Sequence, residues 1–250
     1  MPDTSERSRV KSVDTTLDVV QYLHHDGPVT IDEVADAVDV GTSTAHRHLV
    51  TLRDRGYVTV DDNEYDLSLM FLTHGGRLRE SLPAHELINR KVRQLSEKTS
   101  ERTQFITEEH GERVYLYTHA GENAVKTDAT IGKRGPLHVS AAGKAILANL
   151  NAPDRRRILD DSHGSGTPER ESIEAELETI RKQGYAFNDE ESTPGLRAVG
   201  VPVRSATGRV LGSISVSGPA NRLTGSYYRE ELPELLLGTV NEVELNIEYL

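Results

Sequence analysis

The chain has 250 residues, enough for two modest domains, and carries 29 Lys and Arg against 40 Asp and Glu, a net charge of −11. It contains no cysteine, which excludes disulfides and thiolate metal sites. No apolar run approaches the length of a membrane span and no signal-peptide pattern is present, so the expectation is a soluble cytoplasmic protein with no membrane partner.

The acidic excess is uneven. Residues 1–80 hold 8 Lys and Arg against 15 Asp and Glu, a net of −7. The basic residues are mostly arginine, 22 against 7 lysines. An acidic, lysine-poor surface of this kind suits the cytoplasm of a salt-loving organism, and it is an unusual setting for any polyanionic partner.

Residues 1–9 are polar and are expected to be disordered. Val13, Leu17, Val20 and Leu23 then recur at helical spacing and predict a first helix, stopped by Gly27-Pro28. Thr30-Ile31-Asp32-Glu33 has the pattern of a capping box, followed by a short apolar stripe of Ile31, Val34, Ala35 and Val38. Asp39-Val40-Gly41 makes a tight turn into a longer helix, as a helix-turn-helix requires. In that helix Ala45, Leu49 and Leu52 form the buried stripe, Thr42 or Ser43 is expected to cap the start, and Gly56 to supply the left-handed stop. Tyr57-Val58-Thr59-Val60 and Glu64-Tyr65-Asp66-Leu67 flank the turn-forming Asp61-Asp62-Asn63.

Helix, helix, turn, helix and a two-stranded wing make a winged helix-turn-helix over residues 8–70. Its third helix buries one stripe and turns hydrogen-bonding groups outward from its first turns, which suits the major groove of double-stranded DNA. The residues so presented are Ser43, Thr44, His46, Arg47, His48 and Thr51. An ordinary surface helix with a polar outer face is the plainer alternative for this stretch taken alone.

From Leu69 to Leu82 a helical segment with Leu72, Gly76 and Leu78 leads to Pro83 and is read as a linker helix. Ala84, Ile88, Val92 and Leu95 predict the next helix, about residues 84–99. Gln104 to Thr107 and Arg113 to Thr118 form a hairpin around Glu109-His110-Gly111-Glu112, with Val114 and Leu116 alternating with Tyr115 and Tyr117. Residues 124–131 are predicted as a strand, 132–136 as a loop and 139–150 as a helix. A polar stretch at 160–167 is expected to be flexible, before a helix carrying Ile173, Leu177 and Ile180 and closed by Gly184. Residues 198–204 and 209–217 make a second hairpin, through Ser205-Ala206-Thr207-Gly208. On its second strand Val210, Ile214 and Val216 are expected to face a helix, and Ser213, Ser215 and Ser217 to face water or a polar cavity. Leu236, Val240, Val243, Ile247 and Leu250 mark a final amphipathic helix. Antiparallel strands with interspersed helices give an α+β class.

Several of these stretches together resemble the IclR family of transcription regulators. In the first part they are Ser43-Thr44-Ala45-His46-Arg47, Leu52, Arg55-Gly56-Tyr57-Val58 and Tyr65-Asp66-Leu67. In the second they are Pro136-Leu137-His138-Val139-Ser140-Ala141-Ala142-Gly143-Lys144-Ala145, Gly184-Tyr185, Glu190-Glu191, Gly195-Leu196-Arg197 and Ser215-Val216-Ser217-Gly218-Pro219. The resemblance spans roughly residues 10 to 225 in order. It implies a GAF-like effector-binding domain with an antiparallel sheet after the linker helix, over residues 71–250. Carried onto this chain, the family's effector pocket falls on Ser140, Ala141, Asn188, Leu196, Ala198, Ser215 and Ser217. Many relatives carry Asp where Asn188 stands and Cys where Ala198 stands; the first change removes a charge that would repel an anionic ligand, and the second leaves more room.

The resemblance further implies a homodimer or homotetramer reading a pseudopalindromic operator, with a sugar, sugar acid or short organic acid as effector and control of sugar or organic-acid catabolic genes. The expected mechanism is a population shift: a metabolite in the effector domain alters the relative setting of two winged helices. No catalytic residue, metal ligand or cofactor is assigned. His138 near Ser140 lacks a Gly-x-Ser-x-Gly elbow, and neighbouring histidines such as His24 and His25, or His46 and His48, point to different helix faces. The rival from another class is a sensor or enzyme whose winged helix mediates protein contacts.

Overall fold

A computed structural model describes residues 9–163 and 168–249. The chain divides into two compact units, Met1–Ser81 and Leu82–Leu250. The polar terminus expected to be disordered lies, up to residue 8, outside the described residues.

The first unit runs α1 (Lys11–Asp26), β1 (Val29–Thr30), α2 (Ile31–Ala37), α3 (Thr42–Asp54), β2 (Val58–Asp61), β3 (Glu64–Leu67) and α4 (Met70–Glu80). Its core is small and apolar: Val19 and Leu23 from α1, Val34 and Ala35 from α2, Ala45, Leu49 and Leu52 from α3, and Val58 from β2. The capping box at α2 is present in both directions, with Thr30 Oγ1 accepting from the Glu33 N–H and the Glu33 carboxylate accepting from the Thr30 N–H. Those bonds from Thr30 hold the Glu33 carboxyl below its ordinary range. Asp62 and Asn63 both take positive φ, 45° and 67°, and join β2 to β3 by a two-residue turn suited to the strands' twist.

Three expectations are corrected here. The buried stripe of α1 is Val19 and Leu23, whereas Val13 is 52% and Leu17 58% exposed. The helix is apolar over a broad arc, and its neighbours cover only one edge of it. The start of α3 is capped by Gly41 with no side-chain bond; Thr42 lies inside the helix and its hydroxyl donates to Asp32 Oδ1 at 3.3 Å. The wing also gains a third strand, β1, which pairs with β3 so that the order is β1-β3-β2. Gly56, at φ +79°, does provide the left-handed stop after α3.

The second unit contains α5 (His85–Thr99), β4 (Arg102–Glu109), β5 (Glu112–Ala120), β6 (Arg134–Pro136), α6 (Ala141–Asn149), α7 (Ala152–His163), α8 (Pro168–Gln183), β7 (Ala186–Asp189), β8 (Leu196–Arg204) and β9 (Val210–Pro219), then α9 (Leu232–Glu248) entered through a π-helical turn, Tyr227–Glu231. The six strands pair antiparallel in the order β6-β5-β4-β9-β8-β7. One face packs on α5 and α9 through Val92, Leu95, Phe105, Ile214, Val216, Leu236 and Val240. The other packs on α6, α7 and α8 through Ile106, Leu137, Ile146, Leu159, Leu177 and Ile180. Apolar layers on both faces explain why the sheet's central strands are so continuously buried.

The predicted strand at 124–131 does not form, because its backbone groups are spent on turns. Ala124 N–H bonds Gly121 O, Thr130 N–H bonds Asp128 O, and Thr130 O accepts from the Lys133 N–H. Part of the predicted loop, Arg134–Pro136, is instead the edge strand β6. The polar stretch expected to be flexible from 160 is helical to His163, at the end of α7, and its residues 164–167 lie outside the described residues. Val210 packs with α6 rather than beside Ile214, because the register slips between Val203 and Arg204, opposite Leu211, and reverses the alternation. Ser213 is not solvated: it is fully buried and its hydroxyl donates to Val201 O at 2.9 Å. On α9 Leu236, Val240, Val243 and Ile247 are buried as expected, and Leu250 lies outside the described residues.

Candidate nucleic-acid interface and effector cavity

In the first unit α3 separates its side chains cleanly. Ala45 and Leu49 are fully buried, while Ser43, His46, Arg47 and Thr51 are exposed and Thr44 is half-buried. Arg47 Nη2 reaches Thr44 Oγ1 at 3.4 Å, and the Thr51 hydroxyl donates to Arg47 O at 2.7 Å. His48 is placed differently. Its Nδ1 lies 2.8 Å from Thr16 Oγ1, whose proton is already donated to Ser12 O at 2.7 Å. His48 must therefore donate from Nδ1, and it braces α1 against α3 rather than standing free. Arg53 is paired with Asp54 at 3.2 Å, but Arg47 and Arg55 have no carboxylate within 4.0 Å among the described residues.

The acids of this unit surround the helix. Asp32 touches Thr42 at its opening, and Asp61, Asp62 and Glu64 are exposed on the wing. At the far side Tyr57 hydrogen-bonds His74 Nε2 at 2.9 Å and stacks on its ring at 5.6 Å, which fixes α4 to the base of the wing.

In the second unit a cavity of about 180 Å³ opens between the sheet and the start of α6. Ser140, Ala141, Asn188, Leu196, Ala198, Ser215 and Ser217 all line it, although they come from four separate stretches of chain. Two glycines let α6 sit close enough. A Cβ on Gly143 would lie 2.0 Å from Leu137 O, and one on Gly200 would lie 2.6 Å from the carbonyl carbon of Ala141. Ser140 caps α6 by accepting from the Gly143 N–H at 3.1 Å. The first N–H groups of a helix have no partner in its own ladder, so this end of α6 favours negative charge.

Asn188 is buried, and both ends of its amide are bonded: Nδ2 donates to Val139 O at 2.7 Å and Oδ1 accepts from Ser192 at 3.3 Å. A carboxylate there could not make the first of these bonds. The Ser215 hydroxyl lies 3.4 Å from Gln104 Oε1, two residues that oppose each other across β9 and β4. Behind the wall, Lys144 is 1% exposed and is neutralised by Glu176 at 2.7 Å and Glu191 at 2.6 Å. This triad fastens α6 to α8 and to the loop that supplies Ser192 and Thr193 to the cavity.

Other lining residues had no signal in the linear pattern. Gln104, Tyr115, Thr127 and Ala129 reach the cavity only because of strand pairing and the path of residues 121–133. Three cations also line it. Lys133 pairs with Asp128, and that bond holds the Asp128 carboxyl below its ordinary value. Arg197 pairs with Asp189 at 2.6 Å, which raises the guanidinium further above its already high value. Arg113 has no carboxylate within 4.0 Å among the described residues.

Among the described residues no helix is long and apolar enough to cross a membrane, and no three His, Cys, Asp or Glu side chains gather as a metal site would need.

Comparison with known proteins bears on both units. Residues 12–62 match the IclR helix-turn-helix domain, and residues 79–245 match the bacterial transcriptional regulator IclR C-terminal domain. The chain is 31% identical to "Probable HTH-type transcriptional regulator ArcR" of Halobacterium salinarum, over 98% of this chain and 97% of that one. The crystal structure of the Rhodococcus sp. RHA1 protein RHA06195 aligns with a TM-score of 0.81 at 26% identity, covering 96% of this chain and 98% of the other. That of Thermotoga maritima IclR aligns with a TM-score of 0.79 at 24% identity, covering 96% and 99%, and shows the fold.

Proposed function

The chain belongs to the IclR family of DNA-binding transcription regulators, and from that premise we propose how its residues divide the work. Ser43, Thr44, His46, Arg47 and Thr51 meet the major groove or its flanking phosphates, with Arg47 the base-reading side chain. His48 sets the angle of α3 through Thr16, and it contributes to the groove through its outer ring edge. The effector is a sugar acid or short organic acid held by Ser140, Ala141, Asn188, Leu196, Ala198, Ser215 and Ser217. The observation that carries this reading is the cavity itself: 180 Å³ is roughly six water volumes, matched to a small polar metabolite, and it meets the electropositive start of α6. Binding there shifts the population between conformers of different operator affinity, and so sets expression of genes for the metabolite's catabolism.

The protein acts in the cytoplasm as a homodimer or a dimer of dimers on a pseudopalindromic operator. Support for self-association comes from unspent apolar surface in the first unit: Val10, Val13 and Leu17 on and before α1, and Leu69, Leu72 and Leu78 on and before α4, are each more than half exposed. The domain division proposed is a reading head over residues 8–70 and a linker helix with the effector domain over 71–250.

The test is a mobility-shift titration on the DNA upstream of the protein's own gene, in concentrated KCl, with acids first selected by thermal shift. A saturable shift altered by one such acid is expected. The rival, a sensor whose acidic winged helix contacts proteins, draws on the net charge of −7 in residues 1–80. Absence of sequence-selective binding at every KCl concentration that keeps the fold would favour that rival.

A further inference from the structure

One charge in the effector cavity is unaccounted for. Of the ionisable residues lining it, Lys133 and Asp128 cancel, and Arg197 is held by Asp189. Arg113 remains. Among the described residues its one hydrogen bond runs from Nη1 to Pro136 O at 3.2 Å, and its Nε is buried without a partner. The surroundings make room for the group rather than neutralise it. Arg113 pairs with Gly135 across β5 and β6, and a Cβ on Gly135 would crowd the guanidinium at 3.3 Å. The nearby carboxylates are bonded elsewhere: Asp128, close enough to feel the Arg113 charge, is bonded to Lys133, Glu108 accepts from the Gly111 N–H, and Glu109 and Glu112 pair with Arg134. A guanidinium drawn partly out of water with no carboxylate bonded to it is costly, and a ligand anion would offset that cost.

The cavity also has a receptive group at its other end. Gln104 is 8% exposed, and its amide nitrogen has no partner among the described residues. It stands opposite Ser215, next to Ser217 and the opening of α6. The strand register separates the two ends. Gln104 and Glu108 lie four residues apart on β4, about 13 Å along the strand, and Arg113 pairs with Glu108. Arg113 therefore enters the common cavity from a position on the sheet well separated from Gln104.

We infer that the effector carries two acidic groups, one received at the start of α6 beside Gln104 and the serines, and the other by Arg113. Arg113 is then the residue that selects a diacid over a monoacid. This rests on the effector reading given above, and it adds the ligand's charge and its second point of recognition. The cavity's volume limits the diacid to a short chain, of the size of a four- to six-carbon dicarboxylate.

The test is calorimetry on the full chain in concentrated KCl, with four- to six-carbon dicarboxylates (plain, hydroxylated and 2-oxo) each compared with its own monoamide. At least one diacid is expected to bind about tenfold or more tightly than its monoamide, as loss of one charge-assisted arginine pair implies. Arg113→Gln should bring the ratio close to one and leave the monoamide's affinity unchanged; Arg113→Lys should restore part of it. Equal binding of diacid and monoamide by the wild type, an unchanged ratio in Arg113→Gln, or no binding by any diacid would overturn the inference. The wild-type ratio decides the matter alone if the variants do not fold. Monoamide binding that depends on Ser217 but not on Arg113 would sink only the second acidic group. Binding that ignores Ser215 and Ser217 as well would sink the effector cavity itself.

Discussion

In the first unit the charges lie outside and the inside is bare. Asp61, Asp62 and Glu64 are exposed on the wing, and Asp32 stands at the mouth of α3, over a core made only of apolar side chains. In the second unit charge has moved inward. Lys144 is buried between two carboxylates, and Arg113 faces a cavity whose one carboxylate, Asp128, is bonded to Lys133. Exposed carboxylates in water cost the fold little, but they repel a polyanion brought within a Debye length, roughly 10 Å at 0.1 M salt. A buried cation must instead find a partner, and Lys144 and Arg113 differ in whether the protein or a ligand provides it. The reading unit is thus tuned by the ions around it, and the sensing unit by the molecule within it.

The largest expected effect separates the two units by stability. Leu49→Ala empties a fully buried site in the first core and should cost about 2–5 kcal/mol. Thermal unfolding should show the transition of the reading unit lowered and acid binding by the second unit unchanged. Loss of both together would mean that the units fold as one and that the contrast is only one of surface.

A smaller effect is expected at the groove. Arg47→Ala should weaken operator binding by about 1–3 kcal/mol and relax sequence preference, since Arg47 is exposed with no carboxylate of its own. Fluorescence anisotropy on operator and scrambled DNA measures both quantities. Undiminished preference would remove Arg47 from base reading.

The exposed acids predict an inverted salt response. For a basic DNA-binding protein, affinity falls steeply with salt as phosphate contacts release counterions. Here operator affinity should stay flat or rise between about 0.5 and 2 M KCl, where the screening length is only about 3 Å. Asp61→Asn with Asp62→Asn should move the slope of log affinity against log salt in the negative direction. A strongly negative slope in the wild type would make the acidic wing irrelevant to binding.

The smallest effect belongs to the second unit. His119 Nε2 meets Asn89 Oδ1 at 2.8 Å, and burial holds the ring's pKa below its ordinary value, with nearby Arg93 pushing the same way and Glu97 opposing. Between that lowered value and the unfolded value near 6.5, the unfolded chain binds more protons. Stability from this group is therefore present above about pH 6.5 and is lost as pH falls through that window. His119→Gln should flatten the pH dependence of the second unit's melting; an unaltered profile would assign the dependence elsewhere.

How much of this could be read from the chain varies with the physics involved. Local signals were strong: the Thr30–Glu33 capping box, the Ala45, Leu49 and Leu52 stripe, and the Asp62-Asn63 turn each depend on residues a few positions apart. α7 was hidden because Ile158 and Leu159 are its buried pair among charged and polar neighbours, too few to set a period. Val13 and Leu17 fit a helical stripe perfectly well, but only packing decides which edge of a broad apolar arc is covered. In the cavity, the residues carried by the family resemblance all reached one place, whereas Gln104 and Arg113 depended on the pairing of β4 with β9 and of β5 with β6. The triad of buried Lys144 with Glu176 and Glu191 joins residues 32 and 47 positions apart, beyond any local rule.

The most direct test of the whole account joins the two units in one titration. Operator affinity is measured with and without the acid that gives the largest thermal shift, for the wild type and for Ser215→Ala combined with Ser217→Ala. The account predicts that both proteins bind the operator alike without the acid, and that only the wild type changes its affinity when the acid is added at its working concentration. An unchanged response in the double variant would contradict it.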